Sequence, residues 1–579
     1  MKTKILSACA VISLSFSSFG PSHADTIIDE QIATSPVPPD SNVGWVGVNV
    51  DDMNRQHMGS FLLAGGSEVT SGGGNLYGSM DDVKKSSSSR YSYNAVIPPC
   101  STSITTDCVE KVQAITANGV ALDGTSTGLL SDTDAPTFTG DPKIGFPAGW
   151  APSIWTFPGL SHSGGNQFLV APFVFLYNNP INATHPTTQL QVNVVPISLK
   201  PTTLFNSGPN KWPRISDPTC PLWYAGHQCA VQWPMPINLR MRVVVKLSGS
   251  VAGWVHGRLS NPNIQITPNG ANGQTFDITG GAVNVPVFTA WKKYSEISPA
   301  LKAILLSQTD PRAGTIWPDN ARGTVWDGTY PVPFTKITVE HDLSNYDTED
   351  LTEFVQWLAE SDNKSVATKS TWAFYTANPG RTGAIDNSPC AALSDGVSGV
   401  VSSNSTMYLA APPVFNSSTG TLEYQVAAPH FDRNNNVNTG TYDLLLNSKV
   451  ARCLYNFTNA PIKASVSIVS TDGTTQAATS VLSETNGWLH LAVAGFTYSS
   501  PTIQVKLSQD APAAVATPTP VITPTPEPTA SAAPTTQPVA PAPKPTVASK
   551  KITITCVKGK TTKTVTAVKP TCPVGYKKK

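Results

Sequence analysis

LRMRVVVKL, residues 239–247, decides the class of fold. Leu239, Met241, Val243, Val245 and Leu247 alternate with Arg240, Arg242 and Lys246. Side chains on a strand leave on opposite faces in turn, so this pattern predicts a strand with one buried face. IKASVSIV (462–469) repeats it with Ile462, Ala464, Val466 and Ile468. FLVAPFVFLY (168–177) is apolar throughout, as expected of a strand covered on both faces. Composition agrees. Gly and Pro together number 92 of 579 residues, and charged residues are 13%, about half the rough 25% of soluble domains. Short strands joined by turns suit that composition better than long helices.

Two helices are predicted within this background. SPALKAILLS (298–307) offers Ser298 as N-cap and Pro299 at the first helical position. DTEDLTEFVQWLAESDN (347–363) places Leu351, Phe354, Val355 and Leu358 on one helical face, with Asp347 or Thr348 as cap and acids in the first turn. The expected architecture is therefore mainly β. It comprises two β-sandwich-like domains, residues 25–286 and 368–510, joined by a helix-containing connector over 287–367. An internal echo supports two units. GWVHGRLSNPNIQI begins at Gly253 and GWLHLAVAGFTYSSPTIQV at Gly487. Both run Gly-Trp-apolar-His and then Ser-x-Pro-x-Ile-Gln-apolar, which fits either a duplication or two hairpins that resemble each other by chance.

Both ends of the chain are of different character. Residues 1–24 read as a secretory signal, with Lys2 and Lys4 before an apolar run and a small-residue cleavage site ending at Ala24. Leu6-Ser7-Ala8-Cys9 spells a lipobox, but the five residues before it are too few for a charged region and an apolar core. Residues 511–548 carry eleven prolines in 38 positions, an extended, semi-rigid linker that could reach on the order of 100 Å. Residues 549–579 hold nine lysines and no acid, whereas residues 25–510 hold 27 basic against 37 acidic side chains. The formal charge of +1 thus combines an acidic body with a basic end. No stretch of the mature chain approaches the ~18 apolar residues of a membrane span, so no transmembrane segment is expected.

Eight cysteines follow the signal, an even number suited to an oxidising compartment. Proximity suggests the pairs Cys100–Cys108, Cys220–Cys229, Cys390–Cys453 and Cys556–Cys572. In the last thirty residues KKITITCV and TTKTVTAV flank Gly559 as a hairpin. A bridge from Cys556 to Cys572 would stabilise so small a module by roughly 3 kcal/mol. Its lysines, among them Lys558, Lys560, Lys563, Lys569, Lys577, Lys578 and Lys579, would be drawn to anionic cell-wall or extracellular glycan or to lipid headgroups. Export argues against nucleic acid as partner.

Candidate binding residues in the body are Trp254 and His256, and Trp488 and His490, each pair on one strand face. They could form an aromatic platform with a hydrogen-bonding edge, or pack against a neighbouring sheet. Asp432, Asn434 and Asn436 in PHFDRNNNVNTG recur every second residue and suggest a calcium loop, although a polar hairpin loop explains them too. Ser361-Asp362-Asn363 with Arg381-Thr382-Gly383 faintly matches penicillin-binding enzymes but has no Ser-x-x-Lys upstream. Ser161-His162-Ser163 brings hydroxyls and an imidazole together in sequence only. No G-x-S-x-G, H-E-x-x-H or Walker loop occurs, and no cofactor is expected. A glycosidase carboxylate pair would leave no motif.

The segment from Ile552 to Lys579, with its ITCVKGK, VKPTCPVGYKKK and preceding Pro/Thr linker, resembles a C-terminal module of exported actinobacterial proteins. PPCSTSITTDCVEKV, ARCLYNFTNAPIKASVSIVSTDG and GWLHLAVAGFTYSSPTIQVKL resemble an uncharacterised secreted family of such bacteria. The resemblance implies an envelope location and no activity. The expectation is a secreted, envelope-associated protein for non-catalytic binding or adhesion, with an enzyme acting on extracellular polysaccharide as the alternative.

Overall fold

The computed structural model describes residues 45–50, 59–66, 74–182, 188–202, 205–206, 213–214, 222–223, 227–307, 339–343, 348–376, 389–394, 396–409, 411–469, 475–476, 479–498, 502–509, 552–558, 561–567 and 576–578. Residues 1–24, the linker 511–548 and Arg381-Thr382-Gly383 lie outside them. The protein is mainly β, as its alternating and apolar runs predict.

A long sheet organises the body up to Pro512. Its path runs through strands Asn75–Leu76, Phe61–Gly65, Arg90–Val96, Gln167–Pro180, Gln189–Pro201, Ala373–Thr376, Gly253–Arg258, Val397–Ser403, Thr439–Asn447, Trp488–Thr497 and Thr479–Thr485. Neighbours along this path are antiparallel except Gly253–Arg258 and Val397–Ser403. That parallel pair needs a long crossover, and the chain between them builds other layers as well as the strand Ala373–Thr376 of this sheet. The sheet pairs strands drawn from both sides of the boundary expected between residues 286 and 368. Ala373–Thr376 lies between Gln189–Pro201 and Gly253–Arg258, with all four residues buried. Separating the halves there would leave backbone donors and acceptors unpaired on both sides.

Layers cover this sheet on both faces. A five-stranded sheet (Ser260–Asn269, Gly273–Gly281, Arg240–Leu247, Cys108–Ile115, Ala121–Asp123) packs on one side. Met241, Val243, Val245, Phe276 and Ile278 meet Phe168, Val170, Val255, Phe374, Val400 and Leu445 in a single core. The predicted alternation in 239–247 is borne out. Arg242 lies on the outer face, where it holds Asp277 through two bonds of 2.8 and 2.6 Å. On the opposite side, Met407–Tyr408, Thr421–Ala427, Thr502–Gln509, Ile462–Val469 and two short strands form a second cover. There Tyr424, Val426, Ile503 and Val505 pack on Trp254, Val401, Leu444 and Leu491.

Gln167–Pro180 is covered on both faces over most of its apolar run, up to Leu176, whereas Tyr177 is exposed. Phe168, Val170 and Val174 face the first core, and Leu169, Ala171 and Phe173 face another. The predicted helices are present as Pro299–Ser307 and Thr348–Glu360. Ser298 caps the first by accepting the Leu301 N–H at 3.1 Å, and Leu351, Phe354 and Leu358 bury the second. The expected connector also contributes strands, Val283–Lys293 (from its first residues onward) and Val339–Asp342, to a four-stranded sheet with Trp45–Val50 and Ala367–Thr371.

Cys100–Cys108 and Cys390–Cys453 are disulfides. Cys229 is disulfide-bonded, and its expected partner Cys220 lies outside the described residues. The C-terminal unit contains the expected strand pair, Ile552–Lys558 with Thr561–Ala567 in antiparallel register. Lys577–Lys578 pairs with the other edge of the first strand. Cys572 is outside the described residues, so the Cys556–Cys572 bridge is too.

Candidate functional site

The two Gly-Trp-x-His segments have opposite fates. In the first, Trp254 is 0% exposed and belongs to the core. Its cross-strand neighbour is Gly399, and any Cβ there would stand 2.2 Å from the indole. The glycine is what lets the ring lie against the sheet. His256 is also buried, stacked on Tyr375 with centroids 5.1 Å apart, and its Nδ1 is 3.1 Å from the Tyr408 hydroxyl. The platform expected from Trp254 and His256 is therefore sealed, because this strand is central to a sheet covered on both faces.

Two residues on, Arg258 is fully buried. Its guanidinium donates to the backbone carbonyls of Ser403 (2.8 Å), Ser405 and Thr406 (3.2 Å). It also lies 4.5 Å from the centre of the Tyr408 ring. A planar group with five donors suits converging carbonyls and an aromatic face. Ser402 adds to this knot by accepting the Leu259 N–H at 2.7 Å and donating to the Leu259 carbonyl at 2.7 Å. The sequence signals it only by an arginine in phase with Trp254 and His256.

The second copy lies one strand from the sheet's end. Trp488 is half-buried and packs on the first core. His490 keeps 22% of its side chain exposed, and its Nε2 is 2.8 Å from Asp443 Oδ1. Burial pushes the Asp443 carboxyl up, while the His490 bond and charge and the Asn261 N–H pull it back only in part. Opposite His490 and Trp488 stand the exposed Ser483 and Thr485. A part-exposed imidazole and a half-buried indole thus stand beside two exposed hydroxyl residues. The two copies differ in pairing as well: the first has one parallel and one antiparallel neighbour, and the second has two antiparallel ones.

Other sequence candidates serve their own loops. Asp432 Oδ1 accepts the N–H groups of Asn434 (2.7 Å) and Asn436 (2.8 Å), and Oδ2 accepts the Asn436 side-chain amide at 2.9 Å. Desolvation pushes this carboxyl up, but those bonds and the Lys364 charge outweigh it and leave it below its usual value. The segment turns donors toward its carboxylate, which is the hydrogen bonding of a polar loop rather than an oxygen cage. No group of three or more metal-ligating side chains occurs among the described residues. His162 accepts the Gly164 N–H on Nδ1 (3.1 Å), and its Nε2 lies 2.8 Å from the Gln167 carbonyl. Both nitrogens thus hold the turn containing Ser161 and Ser163. Ser361 donates to the Trp357 carbonyl at a helix end, and the Asn363 side chain accepts the His430 N–H.

Among the C-terminal lysines, Lys577 and Lys578 are exposed, and Lys558 and Lys563 lie in paired strands. Lys560, Lys569 and Lys579 lie outside the described residues. No helix among the described residues is long and apolar enough to cross a membrane.

Sequence reasoning missed a cavity of about 300 Å³. Segments 144–145, 249–250, 266–268 and 270–274 line it, the last two from the hairpin between strands Ser260–Asn269 and Gly273–Gly281. Each wall is fixed from behind. Ser248 donates its N–H and hydroxyl to the Asp107 carboxylate at 2.8 and 2.6 Å. The Gln274 side-chain oxygen accepts the Val251 N–H at 2.7 Å. Asn269 donates to the Leu247 carbonyl at 3.2 Å. Gly145 sits with φ 72°, and a Cβ on it would stand 2.9 Å from the Gly249 Cα. Only glycine permits both the backbone turn and the approach. Ile144, Ile266 and Pro268 bring apolar groups to the lining, and Ser250, Thr267, Asn272 and Gln274 bring hydroxyls and amides. Every lining side chain is non-ionisable.

Comparison with protein-family models, curated proteins and solved structures finds no match.

Proposed function

We propose that this chain is an exported, cell-envelope-associated protein of non-catalytic binding or adhesion. A β body does the binding, the proline-rich stretch 511–548 carries it, and the basic module 549–579 holds it to anionic wall or extracellular glycan. The cavity at the Ser260–Gly281 hairpin carries this reading. It is the size of a small-ligand site, its walls are pre-organised, and its lining consists of hydrogen-bonding and apolar groups. Glycoside hydrolysis needs two carboxyls converging on one bond, whereas this lining offers amides and hydroxyls suited to recognition.

The exposed Lys577 and Lys578 support the anchoring role. Near an anionic surface each lysine contributes about 1 kcal/mol, and less as salt rises. The resemblance of residues 552–579 to a module of exported actinobacterial proteins points to the same place.

The mature full chain should sediment with insoluble envelope polysaccharide without releasing new reducing ends. Release of reducing ends would establish the hydrolase reading instead, and failure to sediment at low salt would remove the binding one.

A further inference from the structure

We infer that the cavity beside the Ser260–Gly281 hairpin takes a terminal unit of an uncharged saccharide. This rests on the binding reading above and names the ligand class.

Charge narrows the choice first. Transferring an ionised group out of water is costly unless a partner compensates it, and the lining supplies no ionisable side chain. The Asp107 carboxylate, behind the wall, already accepts both Ser248 bonds. The ligand is therefore neutral.

The mixed composition of the lining narrows it further. Ile144, Ile266 and Pro268 present carbon, while Ser250, Asn272 and Gln274 present hydroxyl and amide groups. A pyranose ring offers both kinds of surface, C–H faces and hydroxyl edges. Gln274 is buried and its side-chain oxygen is fixed by the Val251 N–H, so its amide is oriented before any ligand arrives. Pre-organised polar groups give orientation and specificity at low entropic cost.

Size sets the last limit. A volume of about 300 Å³ is at the lower end for ligand pockets and accommodates a ring rather than a chain. Gly273 and Gln274 are buried at the floor, and Gly270, Ala271 and Asn272 are exposed at the rim. A terminal unit can enter past that rim while the remainder of the glycan stays in solvent.

Calorimetric titration of the full mature chain with neutral glucan, mannan and galactan oligosaccharides tests this. A uronic-acid oligosaccharide serves as the charged comparison. Work at about 0.5 M salt screens the lysine-rich module. At least one neutral sugar should bind there, and the uronic acid should not. Ala271→Trp, an exposed rim position, should weaken that binding more than tenfold. Asn272→Ala should weaken it about fivefold, the effect of one hydrogen bond. Circular dichroism and melting of both variants should match the parent.

If neutral sugars bind but both variants bind like the parent, the cavity assignment falls and the binding function stands elsewhere on the body. If envelope polysaccharide is bound but no neutral oligosaccharide is, the ligand class is wrong. If nothing is bound in either assay, the binding function itself fails.

Discussion

Residues 253–256 and 487–490 spell nearly the same tetrapeptide, yet one lies inside the protein and the other at its margin. Gly253–Arg258 has a hydrogen-bonded neighbour on each side and a sheet over each face, so Trp254 and His256 have no solvent. Trp488–Thr497 also has two strand neighbours. One of these, Thr479–Thr485, ends the sheet, and the five-stranded cover does not enclose it there, leaving Val481 at 61% exposure. Alternation places a side chain on a face. The position of its strand across the sheet decides whether that face is wet.

The strongest way to break this comparison is to truncate both indoles. Trp254→Ala should cost about 3–5 kcal/mol, the range for a large aromatic removed from a core. Trp488→Ala should cost only about 1–2 kcal/mol. Urea denaturation of both variants measures the difference, and equal losses would refute the contrast in burial.

Arg258 extends the buried strand's role beyond packing. Arg258→Met keeps much of the side-chain volume but leaves the carbonyls of Ser403, Ser405 and Thr406 without that donor. A loss of about 3 kcal/mol is expected from unsatisfied buried acceptors. Amide exchange should accelerate across residues 403–408, which the guanidinium ties down. A variant as stable as the parent would show that the loop holds itself.

The smallest effect belongs to the margin. Burial first, partly offset by His490 and Asn261, holds the folded Asp443 carboxyl above its ordinary value. The folded state therefore keeps that proton longer than the unfolded chain, whose carboxyl titrates near ~3.9. This contribution is greatest at low pH. It declines as pH rises through the unfolded value to the higher folded one, then stays constant. Asp443→Asn should flatten that part of the stability–pH curve, measured by denaturation at a series of acid pH values. An unchanged slope would mean that Asp443 titrates alike in both states.

Much of the fold was legible because it depends on local periodicity. LRMRVVVKL alternates in the structure as it does in sequence, FLVAPFVFLY is covered on both faces until Tyr177, which is exposed, and Ser298 caps the helix that follows it. Cys100–Cys108 and Cys390–Cys453 followed from proximity. The continuous sheet was less legible. Ala373–Thr376 is four residues long, and nothing within AFYT states that it pairs with Gln189–Pro201 and Gly253–Arg258. The candidate site was legible least. Ile144, Ser250 and Gln274 are far apart in the chain and carry no motif, so only folding makes them neighbours.

The sequence by itself determined which residues form strands, which faces those strands turn inward and how charge divides between body and tail. Those properties arise from a two-residue side-chain period and from composition. Tertiary structure alone decided which of two matching Trp–His pairs would be buried, which loops would enclose a neutral cavity and what Arg258 would hold. Each of those depends on layers brought together from distant parts of the chain, where backbone pairing and desolvation act across hundreds of residues that no local pattern encodes.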